Sequence, residues 1–345
     1  MYVVRPVELA DVDALERLAA VMTAGVHTLP RTRETIAAFI ERSIASFAAQ
    51  VDIPSEESYL FVLENTASCE VVGTAAVHAS AGSNGTYFAF RNDVIQQVSR
   101  DLNISHNVHA LTLCSELTAC SQLAGFHLRD QEHAGIEAAL LSRARLLFAV
   151  LSPHRFGDRF FVPLAGVTDG DGQSPFWNAL GRKFFKMDFL DAERVIGGAR
   201  NRTLIVELMP HYPVYVPLLP GDAQAAMGQI HPSGQLAFNL LTEEGFEADE
   251  YVDIFDGGPI LAAHKLSLRS FCGSQHRRVE TAAEAAQLSK PDNFVTYAVA
   301  TNAERFRAIT VSCPPCDTSD ALCLPPAAQQ ALGVAPGDSV ICVRI

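Results

Sequence analysis

The chain has 345 residues, of which 48% are hydrophobic and 19% charged, enough to bury a sizeable core and too apolar for a disordered chain. A formal net charge of −13 excludes general binding to nucleic acid or to anionic membrane, which needs a basic footprint. Arg5, Glu8, Asp11 and Asp13 interrupt the apolar run a signal peptide would need, and no stretch approaches about 18 apolar residues, so a cytoplasmic protein without membrane contact is expected.

Val3 and Val4 form a short expected strand that stops at Pro6. Leu9 to Val21 has apolar residues at helical spacing. Thr32 to Ala49 does too, through Ile36, Phe39, Ile40, Ile44 and Phe47. Ser58 to Leu63 and Glu70 to Ala79 read as strands joined by the turn residues Asn65 to Ser68. Residues 83–92 read as a loop with one strand at most. Ala110 to Cys114 and Gln122 to Leu128 are short apolar runs, and Ile136 to Leu151 is a strongly apolar helix. Phe160 to Val167 is an expected strand, Pro175 to Arg182 a helix and Thr203 to Leu208 a strand. Gly221 to Gln229 is a helix with Asp222 suitably near its positive end. Gly234 to Glu244 is another, closed by Gly245. Tyr251 to Phe255 is a strand ending in the turn Asp256-Gly-Gly-Pro259.

Phe176 to Phe185 and Phe238 to Phe246 each place an aromatic near a helix start and close the helix with Gly before Phe, which suggests two related half-units. From about residue 265, short β-type runs alternate with turns. The pattern is an α+β layered fold, a mixed sheet flanked by helices, divided into 1–200, 201–264 and a small β-rich element at 265–345.

Of eight cysteines, only Cys313-Pro-Pro-Cys316 has metal-like spacing, and no second pair or matched histidines follow. These thiols read as a turn with two incidental cysteines, and no metal is expected. The histidines show no HExxH or paired spacing.

Seven segments carry more information. They are Val4-Arg-Pro-Val7, Ser58-Tyr-Leu-Phe-Val-Leu-Glu64, Ser174-Pro-Phe-Trp177, Glu207-Leu-Met-Pro210, Gly228-Gln-Ile-His-Pro232, Glu244-Gly-Phe246 and Tyr251-Val-Asp-Ile-Phe-Asp-Gly-Gly-Pro259. In this order the chain resembles the arginine N-succinyltransferase family of bacterial arginine catabolism. His211-Tyr-Pro-Val-Tyr-Val-Pro-Leu-Leu-Pro220 looks like the alpha subunit of its two-subunit arginine/ornithine form. The resemblance implies a fold like the Gcn5-related acyl-CoA N-acyltransferases, with the two halves expected to be a duplication. It also implies succinyl-CoA as co-substrate without a bound cofactor, and L-arginine or L-ornithine acylated at the α-amine. A homologous beta subunit is the implied partner.

His231 matches the family's catalytic histidine, treated there as a proton donor. Read from the residues, Pro232 biases His231 towards extended backbone just past a helix end. There it either caps the helix or aims into a cleft; the resemblance favours the cleft. Acyl transfer from a thioester to an amine needs proton transfers and donors to the thioester oxygen. A guanidinium substrate suits a carboxylate. Glu207, Asp253 and Asp256 are the candidates, with Arg91 for the substrate's own carboxylate; structural ion pairs or turn roles are the alternatives for each. Phe126 matches the position through which the family contacts succinyl-CoA, or is a core aromatic.

The family's phosphate loop, Arg/Gln-x-x-Gly-x-Gly/Ala, falls on His133-Ala-Gly-Ile-Glu-Ala138. His133 stands for the basic residue, Ile136 replaces the first glycine, Ala138 fits the last position and Gly135 is one place off. Glu132 and Glu137 add negative charge beside the phosphates. The departures lead to the hypothesis that a beta partner keeps the intact loop. Three readings follow: a catalytic subunit using His231, a non-catalytic structural or regulatory subunit, or an amino-acid or acyl-CoA binding module.

Overall fold

The computed structural model describes residues 1–21, 30, 32–83, 85–129, 135–196, 207–281, 294–315 and 320–345. His133, Cys316 and residues 203–206 of one expected strand lie outside the described residues. The elements run β1 (Tyr2–Pro6), α1 (Val12–Ala20), α2 (Arg33–Ala48), β2 (Ser58–Asn65), β3 (Glu70–His78), β4 (Ala89–Ser99), β5 (Ile104–Cys114), β6 (Ser121–Leu128), α3 (Ile136–Leu151) and β7 (Arg159–Pro163). Then follow α4 (Pro175–Ala179), α5 (Gly181–Phe185), α6 (Phe189–Ile196), β8 (Val214–Tyr215), α7 (Gly221–Ala226), α8 (Gln235–Glu244), β9 (Glu247–Val252) and β10 (Pro259–His264). The chain ends with α9 (Arg269–Cys272), β11 (Gln275–Thr281), β12 (Val295–Thr301), β13 (Arg307–Cys313), β14 (Ala321–Leu324), α10 (Pro326–Leu332) and β15 (Ser339–Arg344).

The strands form one mixed, mostly antiparallel sheet in the order β14-β11-β15-β12-β13-β1-β2-β3-β6-β7-β10-β9-β4-β5-β8. Among the described residues only β6–β7 and β11–β14 pair in parallel. The period-2 alternation of β2 decides its layering. Leu60 and Val62 pack with Leu15, Ile36 and Ile40 of α1 and α2, whereas Tyr59, Phe61 and Leu63 pack with α3. Both faces are therefore covered, which explains the unbroken apolar run. The start of α2 is set by Thr32, whose side chain accepts from the Thr35 N–H.

Helix α3 is buried from Ala138 to Ala149, as its apolar sequence on all sides requires. Phe148 stands at its centre, within 5.0–5.8 Å of the ring centroids of Phe47, Tyr59, Phe61, Phe156 and Phe306. A second core gathers Phe90, Phe176, Trp177, Phe185, Phe189 and Phe255. Trp177 stacks on Phe255 at 5.5 Å, and its indole N–H donates to the Met187 carbonyl at 3.0 Å.

Three expectations change. Residues 89–99 and 104–114 form a hairpin of two 11-residue strands, longer than the apolar run at 110–114 suggested. The outer parts of both strands are largely exposed and mix Val94, Ile95, Val98 and Ile104 with polar residues, without the regular alternation that marks a half-buried strand. Glu207 and Leu208 are helical, not extended. The tail beyond residue 265 joins the main sheet edge to edge: Val3 pairs with Ile309 and Val4 with Ala308.

Candidate active site

Strands β6 and β7 run parallel but pair only at Ser121–Phe160 and Gln122–Phe161. Beyond those pairs β6 continues on β3 while β7 continues on β10, so the two strands part. On β6 the register slips between Ala124, opposite Ala76, and His127, opposite Thr74. Gly125 and Phe126 thus face the single residue Ala75. Gly125 has φ +60, the left-handed conformation of a bulge glycine. A bulge of this kind interrupts the ladder and re-aims backbone N–H groups.

The chain leaving β7 keeps an extended path. The Leu164 N–H donates to the Pro259 carbonyl at 3.0 Å, and Gly166 bridges Ile230. The His231 N–H donates to the Ala165 carbonyl at 2.8 Å, and Gly228 donates to the Gly257 carbonyl at 2.8 Å. Three of the sequence segments, 174–177, 228–232 and 251–259, therefore meet at one place. His231 has φ −60 and ψ 140, the extended backbone expected before proline. It caps the 3-10 turn that follows it, Pro232–Gly234, not the helix that precedes it.

The imidazole is half-buried. Its Nδ1 lies 2.7 Å from Ser233 Oγ and accepts from the Ser233 N–H at 3.2 Å. A backbone N–H can only donate, so Nδ1 carries the lone pair and the neutral ring carries its proton on Nε2. Burial lowers the ring's pKa from its ordinary value, favouring the neutral form. The site can therefore present one imidazole N–H donor near the parted strands. Ser233 was not singled out in the sequence, although its place two residues after the histidine is the capping signal.

The other expected residues separate into distinct settings. Asp256 is 4% exposed, and its carboxylate accepts from Gly166 N–H at 2.7 Å and Gly258 N–H at 2.8 Å. Asp253 accepts from the Phe255 N–H at 2.7 Å, shaping the same turn. Arg91 pairs with Asp93 at 2.7 Å and with Glu116, which also accepts from Tyr251 OH at 2.8 Å. Both Glu116 contacts escaped sequence reading because they join residues far apart in the chain. Glu207 is exposed on its helical turn.

Phe126 is half-buried, with the Arg145 guanidinium carbon 5.6 Å from its ring centroid. Arg145 is 1% exposed and donates to Ala124 O, Ser142 O and Ser142 Oγ. Burial pushes its pKa down to about 9. Gly135 is exposed and begins α3 with no side-chain cap; a Cβ there would meet nothing within 4 Å. The Ala138 side chain is in the core, so only its backbone faces the helix start. Among the described residues no group of three or more His, Cys, Asp or Glu side chains could hold a metal ion. Likewise no described helix is long and apolar enough to cross a membrane.

Comparison with known proteins matches this architecture to acyl-transferring enzymes. A family model described as the arginine N-succinyltransferase beta subunit matches residues 2–270, and one described as its C-terminal domain matches residues 277–344. The chain belongs to the arginine N-succinyltransferase family. The arginine N-succinyltransferase subunit alpha of Pseudomonas aeruginosa is 43% identical, with 100% of both chains covered. Subunit beta of that organism is 36% identical over 79% of this chain and 80% of its own. The solved structure of arginine/ornithine succinyltransferase subunit AI from Pseudomonas aeruginosa superposes with a TM-score of 0.86 at 40% identity, covering 100% of this chain and 98% of that one.

Proposed function

We propose that this chain is the alpha subunit of a heteromeric arginine N-succinyltransferase, moving a succinyl group from succinyl-CoA to the α-amine of L-arginine or L-ornithine. The observation that carries this is the meeting of three family segments at His231, beside parallel strands that part. The resemblance puts the family's succinyl-CoA contact on the strand that carries Phe126, one of the two that part. The bulge at Gly125–Phe126 supplies backbone donors for the thioester oxygen.

The neutral amine attacks the acyl carbon; the C–N bond forms and the C–S bond breaks. The nitrogen sheds one proton and the departing sulfur gains one. His231 takes up the proton shed by nitrogen, becoming imidazolium, and hands its Nε2 proton to the departing sulfur, so the ring ends neutral as it began. The open start of α3 at Gly135 faces the pyrophosphate, whose charge suits uncapped helix N–H groups. Arg91 is neutralised by Asp93 and Glu116, and the Asp256 carboxylate is engaged by backbone N–H groups. Neither side chain is therefore assigned to the substrate. Asp253 and Glu207 stay candidates for its guanidinium.

A specific observation favours the non-catalytic reading: Ile136 and Glu137 occupy the first turn of α3 where the family has a glycine and no charge is wanted. Calorimetric titration of the purified chain with succinyl-CoA separates the two. Micromolar binding by this chain alone supports a catalytic alpha subunit. Binding only after the beta subunit is added assigns the donor site to the partner. Release of CoA thiol when both subunits, succinyl-CoA and L-arginine are mixed tests the activity itself; no release beyond that without amino acid would refute it.

A further inference from the structure

We propose that Asp256 is a positioning residue for His231, clamping the 256–258 turn onto the chain leaving β7 so that the histidine segment has a fixed rail to hang on. This rests on the reading of His231 given above. The rail is the pair of backbone contacts from Ala165 to His231 and from Gly257 to Gly228, both 2.8 Å, with the Gly166–Ile230 bridge between them. Two separate stretches, 164–166 and 256–258, must keep their spacing for both contacts to hold. The Asp256 carboxylate joins them: one oxygen takes the Gly258 N–H of its own turn and the other takes the Gly166 N–H from 90 positions away.

The glycines show how closely the stretches approach. A Cβ on Gly166 would sit 2.7 Å from the Asp256 carbonyl oxygen and 2.8 Å from Gly258 N, and a Cβ on Gly258 would sit 2.3 Å from the Leu164 oxygen. Only two residues without side chains fit here. Ser174 Oγ, 3.4 Å from the Asp256 carbonyl, and the Phe176 ring against Gly257 close the remaining sides. A turn alone needs no buried charge, and desolvating a carboxylate is costly unless strong bonds compensate it. Two charge-assisted bonds spanning two stretches are such a compensation. The chemistry they serve is orientation: displacement of a reacting group by about 1 Å can cost 10²-fold in rate.

The test is Asp256→Asn in the assembled enzyme. An amide keeps the shape but can accept from only one of the two N–H groups and points a donor at the other. The expected result is a fall in kcat of about 10- to 100-fold with KM for both substrates changed little. In the isolated chain, the ¹³C-edited NMR titration of His231 moves towards the ordinary imidazole value as the ring segment loosens. Unaltered His231 titration in Asp256→Asn, or full kcat while His231→Ala is inactive, overturns the proposal. If His231→Ala instead keeps full turnover, the catalytic reading fails, while the NMR shift still reports whether Asp256 holds the segment. Should Asp256→Asn not fold, hydrogen exchange in the wild-type chain decides: Gly166 and Gly258 N–H must be strongly protected, and rapid exchange there overturns the clamp.

Discussion

Glu244 offers a calculable perturbation. Its side chain is 3% exposed, that of Arg143 is 7% exposed, and the pair meets at 3.1 Å. Arg143 also donates to the Arg344 carbonyl at 2.9 Å, and Glu244 accepts from the Ser270 N–H at 2.5 Å. One ion pair thus joins α3, α8, α9 and β15. Glu244 lies at the C-terminal end of α8, where the helix dipole disfavours an anion, so its stabilisation comes from these partners. Glu244→Gln leaves the Arg143 charge buried without its counter-ion, at a cost of about 3–5 kcal/mol. Unfolding entropy of about 2.1 cal/mol/K per residue over 345 residues makes that a Tm loss of roughly 4–7 °C. Replacing both partners, as Arg143→Met with Glu244→Met, removes the buried charge together with its counter-ion and recovers most of the loss. Differential scanning calorimetry of Arg143→Met, Glu244→Met and the double closes the cycle, with Glu244→Gln measured beside them. A Glu244→Gln chain melting within about 1 °C of wild type, or a double no better than the worse single, would refute the reasoning.

Arg145 should behave oppositely to Arg143. No described carboxylate pairs with it, so Arg145→Met is expected to leave Tm unchanged or raise it; a loss above about 4 °C would show that its bonds to Ala124 and Ser142 outweigh its burial. Phe148→Ala opens the centre of the aromatic cluster and should cost about 3–5 kcal/mol in urea unfolding, with less than 1 contradicting the packing account. His127 is buried with Nε2 unpartnered, and burial lowers its pKa, as it does that of His231. The unfolded chain therefore takes up protons first as pH falls below the ordinary value near 6.5, so stability is lost through that window. His127→Leu should flatten the loss in Tm–pH scans, and an unchanged acid limb would exclude this cause.

How much was legible in the sequence followed how local each cause was. The α3 boundaries, the extended backbone at His231 and the glycine closing α8 were legible because apolar period, proline and Gly245 act within a few residues. The β4–β5 hairpin was not, because Gln96, Gln97, His106 and Asn107 interrupt Val94, Ile95, Val98 and Ile104 and no regular apolar alternation results. Asp256 was visible as a chemical resource, but its use was hidden: the Gly166 N–H that engages it comes from the chain leaving β7, 90 positions away. The same applies to Arg91, whose second partner Glu116 arrives across the hairpin.

The central claim is proton transfer by His231, and its most direct test is turnover of a His231→Ala chain assembled with wild-type beta subunit. CoA thiol release with succinyl-CoA and L-arginine is followed alongside circular dichroism of the same sample. The account predicts a kcat lowered by about 10²- to 10⁴-fold in a folded, assembled enzyme. Turnover equal to wild type would contradict it.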